Sequence, residues 1–293
     1  GELRLWIRHV LGVEVPSRAL VRGSSTPLAY LAHSFFEPED ASAVRDSVVW
    51  AARGGGKTFY AAVATCLDLL FKPGVEVRLL GGSLEQSRRM HVHLRALFSR
   101  PALRGRATSL TERRVVLVNG SVAEVLAQSE ASVRGARPTK LRCDEVELFK
   151  PELWEAAQLM PRSRECGGEV VHASIDALST LHRTQGLMAG LVSSCGSGRR
   201  LFRWTVVDAL EVCAPARSCG GCDLWDECGG RAKRAELEGA ARVGGHVSID
   251  DAVRMKRRAG LSAWESEMLC RRPRRDDLVY PAFDPGVHVV DAD

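Results

Sequence analysis

From residue 46 onward, short apolar runs alternate with longer stretches of helical periodicity, and that alternation predicts an α/β fold with a parallel sheet covered by helices. Residues 48–52 read as the first strand, 57–70 as a helix and 75–80 as a second strand that stops at Gly81-Gly82. A helix over 83–98 follows, with Ser83 placed to cap its start. Residues 113–118 and 122–126 flank Asn119-Gly120 and predict a β-hairpin, because Asn-Gly favours a type I′ turn. Beyond it the pattern gives an extended segment over 139–147, a helix near 151–160 and a strand over 169–174. A loop through 177–180, a helix over 181–192 and a strand over 201–207 complete the rhythm.

The two ends break this pattern. Residues 1–45 join an amphipathic start (Leu3, Leu5, Trp6, Ile7, Val10, Leu11) to Pro16, Pro27 and Pro38 and an apolar patch over 28–36, which predicts an N-terminal helical cap on a core of residues 46–210. Residues 211–270 open with a cysteine-rich, turn-rich part and then read as helical and charged from 231, a lid whose Arg254, Lys256, Arg257 and Arg258 line one side of 249–258. Residues 271–293 begin with Arg271-Arg272-Pro273-Arg274-Arg275, a basic stretch broken by proline and suited to a linker.

The chain has 293 residues, 45% of them hydrophobic, enough for one large α/β domain with small appendages. Its formal charge of +5 is compatible with a polyanionic partner but does not establish one. No run reaches the roughly 18 apolar residues of a membrane span, and charges punctuate residues 1–16, so neither a membrane segment nor a signal peptide is expected. A reducing compartment is the consequence.

Candidate chemistry begins at Val48-Val49-Trp50-Ala51-Ala52-Arg53-Gly54-Gly55-Gly56-Lys57-Thr58, a strand, a glycine-rich loop and a helix start. Glycines let backbone N–H groups wrap an anion, and the helix N-terminus adds its positive end. Arg53, Gly54, Gly55 and Gly56 would form this cradle, Lys57 would reach the terminal phosphates and the Thr58 hydroxyl would ligate Mg²⁺. Ala51 stands where the full P-loop pattern has glycine, so a plain glycine-rich turn is the competing reading. Well downstream, Asp144-Glu145 closes an extended segment interrupted by Lys140 and Arg142. There the first carboxylate would hold the Mg²⁺ shell and the second would orient or deprotonate water. Ser179 and Thr180 suit either a γ-phosphate sensor or a helix cap. Cys213, Cys219, Cys222 and Cys228 fall within sixteen residues on a segment without apolar periodicity, a pattern suited to a Zn²⁺ knuckle. Free thiols, disulfides and an iron–sulfur cluster remain as alternatives there.

Together these motifs resemble the ATPase half of the large terminase subunit of tailed bacteriophages. The resemblance runs from Ser24 to the end and is most specific in Trp50 to Thr58, in Ser132-Val133-Arg134-Gly135 and in Lys140-Leu141-Arg142-Cys143-Asp144-Glu145-Val146. Trp264-Glu265-Ser266-Glu267-Met268 through Val279-Tyr280-Pro281-Ala282-Phe283-Asp284 is similar to the family's connector before its nuclease domain. That family tolerates loss of the first glycine and an arginine inside the loop, so Ala51 and Arg53 agree with it. The resemblance implies a P-loop NTPase of the ASCE type that couples hydrolysis of ATP, with Mg²⁺, to translocation of double-stranded DNA into a procapsid. It further implies a homo-oligomeric ring, a pentamer, on the portal protein, working with the small terminase subunit in the cytoplasm of the infected bacterium, without a membrane partner.

The implied roles are phosphate binding for Lys57, Mg²⁺ coordination for Thr58 and Asp144, and catalysis for Glu145. Arg53 and Arg134 compete as the arginine finger, acting either within the subunit or on a neighbouring subunit's ATP, and Ser179 and Thr180 occupy the place of the coupling motif. The family's RNase H-like nuclease is not expected in this chain, because Asp291 and Asp293 lie in a terminal tail and cannot alone form its acidic two-metal site. The cysteine cluster lies outside the family's general pattern. Two rival functions stand beside the motor: a helicase-like or remodelling ATPase on single strands or RNA, and a non-hydrolysing zinc-knuckle module that binds DNA.

Overall fold

The structure is a computed structural model that describes residues 1–38, 40, 42–126, 135–196, 198–233, 236–237, 240–241 and 244–272. Around strand β1 (Asp46–Ala51), Val48 and Trp50 pack into one apolar cluster and Val49 and Ala51 into another. A strand apolar on both faces requires cover on both, and the sheet is accordingly sandwiched between two layers. One side carries α1 (Glu2–Leu11), α2 (Pro27–Phe35), α3 (Lys57–Phe71) and α4 (Leu84–Phe98). The other carries α5 (Pro151–Gln158), α6 (Leu187–Ser193) and α7 (Ile249–Arg258).

The remaining strands are β2 (Glu76–Gly81), β3 (Ala107–Leu110), β4 (Arg114–Leu117), β5 (Val122–Val125), β6 (Lys140–Asp144), β7 (Arg164–Cys166), β8 (Glu169–Val171), β9 (Ser174–Ser179) and β10 (Arg199–Trp204). Eight of the strands form one sheet in the order β10-β1-β9-β6-β2-β5-β4-β3, parallel from β10 to β5 and antiparallel across β5-β4-β3. Strand β9 therefore lies between β1, which leads into the glycine loop, and the acidic strand β6, which is the additional-strand arrangement of ASCE-type P-loop NTPases. No helix among the described residues is long and apolar enough to cross a membrane.

Local chemistry explains several boundaries. Ser83 caps α4 by accepting the Gln86 N–H at 3.2 Å. The β4–β5 hairpin forms where Asn119-Gly120 predicts it, but with a different turn. Gly120 alone takes a left-handed φ of 82°, its N–H donates to the Leu117 carbonyl at 3.1 Å, and the Leu117 N–H donates to Ser121 at 2.9 Å. That is a three-residue loop closed by a glycine bulge, so only one residue needs positive φ.

Four further expectations are corrected. The strand expected at 169–174 is only the short β8 of a two-stranded β7–β8 ladder, and the expected loop through 177–180 instead contains the end of the central strand β9. Asp176 makes that run look broken, yet it is fully buried and satisfied there. The helix expected from 181 starts at Leu187, where the Glu147 carboxylate accepts the Met188 N–H at 2.8 Å, a partner no local pattern reveals. Of the helical stretch expected over 231–270, the longest helix among the described residues is α7, capped by Ser248.

Lys140 and Arg142, which interrupt the apolar run of β6, enter a buried ionic network. Arg142 lies 2.5 Å from Asp68 and 2.8 Å from Asp176, all three with fully buried side chains. Asp176 also accepts from Tyr30 at 2.7 Å, Ser34 at 3.0 Å and Ser47 at 2.8 Å. Lys72 and Lys140 both reach Glu37 at 2.8 Å. The network ties α2 and α3 to β1, β6 and β9, so the N-terminal helices are fastened to the sheet by directional bonds as well as apolar contact. At the other edge, the Asp208 carboxylate accepts from the Leu20, Val21 and Thr205 N–H groups at 2.7–2.9 Å.

Candidate nucleotide-binding site

The parallel strands end side by side, with Trp50 of β1 level with Ser179 of β9 and Leu178 of β9 level with Asp144 of β6. Side chains placed on those ends converge. After β1 the chain turns through Arg53-Gly54-Gly55-Gly56 into α3, with φ of 70° at Gly54 and 83° at Gly56. Gly55 has no room for a side chain: a Cβ there would lie 2.9 Å from the Ala52 carbonyl oxygen and 3.2 Å from the Trp204 indole nitrogen. Trp204 Nε1 donates to the Gly55 carbonyl at 2.8 Å and fixes the loop from below. The first N–H groups of α3, which have no acceptor inside the helix, open onto the same space.

That space is a cavity of about 720 Å³ lined by Gly54, Gly56, Lys57 and Thr58, with Tyr60, His93, Arg100 and His246 around it. Lys57 Nζ lies 2.7 Å from Glu145, and Thr58 donates to Asp144 at 2.7 Å. Glu145 also accepts from the Ser179 hydroxyl at 3.2 Å, which in turn receives the Glu147 N–H at 3.4 Å. Thr180 is within 3.4 Å of the His182 ring rather than of this group. Burial pushes the Asp144 carboxyl up to about 6, and Glu145 adds to the rise, against the opposing pull of Lys57 and the Thr58 hydrogen bond. Two hard oxygen donors 2.7 Å apart at the mouth of an N–H-lined glycine loop fit a Mg²⁺ shell completed by phosphate and water.

Arg53 lies outside the lining of the cavity. Its N–H donates to the Glu267 carbonyl at 2.8 Å, and its guanidinium sits 3.4 Å from the Glu267 carboxylate. Arg134 lies outside the described residues. Cys213, Cys219, Cys222 and Cys228 line one cavity of about 20 Å³ that shares no lining residue with the cavity at the glycine loop. All four are unbridged, and among the described residues no three His, Cys, Asp or Glu side chains are arranged as a metal-holding group.

Several residues at the site escape sequence reasoning. A His246 ring nitrogen lies 2.6 Å from the Gly54 carbonyl. The signal for it is Gly244-Gly245 just before: a Cβ on Gly244 would come within 2.8 Å of the Val212 nitrogen, and one on Gly245 would collide with the Ala209 carbonyl. Only glycines let that segment pass so close and deliver the histidine. Tyr60, His93 and Arg100 reach the cavity from α3, α4 and the segment after α4, with no motif to announce them.

A glycine loop between β1 and α3, on a sheet in which β9 separates β1 from the acidic strand β6, gives the architecture of a P-loop NTPase fold. The solved structures carry the likeness further. The large terminase of a thermophilic bacteriophage, in complex with ADP, aligns at a TM-score of 0.54 and 12% identity, over 90% of this chain and 57% of that one. The complex of the same phage's large terminase with ATP-γ-S aligns at 0.51 and 14% identity, over 90% and 56%. The chain thus shares its fold with that large terminase and spans a little over half of its length. No protein-family model and no curated protein sequence matches it.

Proposed function

We propose that this chain is the ATPase part of a DNA-packaging motor of a tailed bacteriophage. The observation that carries the reading is the set of direct bonds that joins the glycine loop to the ends of β6 and β9: Lys57 to Glu145 at 2.7 Å, Thr58 to Asp144 at 2.7 Å and Ser179 to Glu145 at 3.2 Å, beside the cavity that Lys57 and Thr58 line. Mg²⁺ bound by Thr58 and Asp144 would neutralise charge on the phosphates. Lys57 would leave Glu145 for the phosphates, freeing that carboxylate to orient water and take its proton, while Ser179 holds it in place. Arg53 in cis and Arg134 in trans are the two fingers to test. Thr180 belongs with Ser179 as coupling residues, and the four cysteines form a zinc knuckle in the lid. The partners in this reading are duplex DNA, the portal protein, the small terminase subunit and further copies in a pentameric ring, in the host cytoplasm.

The likeness to the nucleotide-bound terminase of the thermophilic phage supports ATP as ligand. The test is ATP hydrolysis by the purified chain with and without linear duplex DNA, alongside a strand-separation assay. Stimulation by duplex without unwinding is expected. Stimulation only by single strands, with unwinding, would put a helicase in the motor's place, and DNA binding with no hydrolysis would leave only a binding module.

A further inference from the structure

The segment from Cys213 to Lys233 has too little apolar material to order itself, since Leu224 and Ala232 are its only buried residues besides Cys213. It is nonetheless held in a defined shape by tight turns. Gly221, Gly229 and Gly230 take left-handed φ of 72°, 52° and 72°, and the Cys222 N–H closes back on the Cys219 carbonyl at 3.2 Å. These turns bring all four cysteine side chains to one cavity of about 20 Å³, room for a single atom-sized guest. The Ala232 N–H donates to Cys228 Sγ at 3.4 Å, a bond that favours sulfur as an anion. Arg217 and Lys233 line the same cavity and bring positive charge to it, although Arg217 also pairs with Asp250 at 2.8 Å. The four sulfurs are not drawn together as a ligand set in this structure, but four unbridged thiols lining one atom-sized space, with a sulfur-directed N–H and two cations that favour thiolates, have the chemistry that a soft divalent cation requires.

The knuckle is wired to the phosphate loop. Glu227 sits between Trp225 and Cys228 on a one-turn helix, accepts the Trp264 indole N–H at 2.9 Å and pairs with Lys256 at 2.7 Å. Trp264 opens the π-helical turn Trp264–Met268, whose Glu267 carbonyl receives the Arg53 N–H at 2.8 Å. We propose that Cys213, Cys219, Cys222 and Cys228 bind one Zn²⁺ as thiolates, and that this metal braces the Trp264–Met268 turn against the phosphate-binding loop through Glu227. Binding draws the four sulfurs inward and releases the four thiol protons to solvent, with no change of oxidation state. The metal site stands on the cysteines alone, whereas the bracing role rests on the ATPase reading.

The first measurement is metal content of the wild-type chain, purified after growth with both zinc and iron supplied. One zinc per chain is expected, lost in the Cys219→Ser/Cys222→Ser variant. Iron with acid-labile sulfide, disulfides by thiol counting, or no metal at all would overturn the assignment. The second is nucleotide affinity. Glu227→Ala should keep its zinc yet bind Mg·ATP about tenfold more weakly, the scale of effect that a small displacement of a positioning contact produces. Glu227→Gln, which still accepts the indole N–H, should recover most of that loss. Wild-type affinity in Glu227→Ala with zinc present would sink the brace. A zinc-loaded wild type without ATP turnover would count against the ATPase reading and leave the metal site standing.

Discussion

Glu145 holds a left-handed backbone, φ 54° and ψ 50°, which costs a non-glycine residue about 1–2 kcal/mol. The turn directs its carboxylate to Lys57 at 2.7 Å and to Ser179 at 3.2 Å instead of along the course of β6. Strain of this kind persists where the surroundings over-determine it, and here two polar partners do so. Ser179 is a positioning residue in this arrangement. Ser179→Ala should therefore slow ATP turnover about tenfold, the rate equivalent of one hydrogen bond to a charged group, while nucleotide affinity stays at the wild-type value. Wild-type turnover in that variant would remove Ser179 from the mechanism. Thr180, 3.4 Å from His182, should matter less, and a parallel turnover measurement on Thr180→Ala checks the ranking.

At the scale of elements, β6 shows how charge can belong in a buried strand. Arg142 and its two carboxylates are fully buried, and removing one partner strands the others, so Arg142→Ala should lower unfolding free energy by about 3–5 kcal/mol in urea titrations. Gly120→Ala, at a left-handed position of the β4–β5 loop, should cost about 1 kcal/mol by the same measurement and leave ATP binding unchanged. These elements also mark how much is legible in the sequence. Strand–loop–helix at 48–58, the hairpin and the acidic end of β6 can be read because local residues dictate them: glycines where the loop must turn, Asn-Gly at the hairpin and Ser83 at a helix start. The true limits of β9 and α6 cannot, because Asp176 is satisfied by Tyr30, Ser34, Ser47 and Arg142 from distant segments, and the start of α6 is set by Glu147. His246 reaches the site from 192 residues beyond Gly54, further than any local pattern extends.

Over the whole molecule, the network of buried charges makes stability depend on acid. Burial alone would raise the Glu37 carboxyl, but Lys140 and Lys72 outweigh it and hold it at about 2, below the ordinary 4.5. A depressed carboxylate contributes stability above its unfolded value and loses it as pH falls through the folded one, so the contribution should fade between about pH 4.5 and pH 2. Allowing for solvent screening of this partly exposed group, the amplitude is of order 1 kcal/mol. Glu37→Gln should flatten that limb of the stability curve in chemical denaturation across pH, and an unchanged limb would assign it to other carboxylates. The sheet brings the glycine loop, Ser179 and Asp144-Glu145 together from the adjacent ends of β1, β9 and β6, beside the cavity that Lys57 and Thr58 line. On the proposed reading, ATP is hydrolysed at the glycine loop with Glu145 as the catalytic carboxylate. The most direct test is to measure, on the same preparations, Mg·ATP binding and steady-state turnover for the wild type and Glu145→Gln. The variant should bind Mg·ATP at least as tightly as wild type while its turnover falls by at least about 100-fold; turnover within a few-fold of wild type would strip Glu145 of the catalytic role.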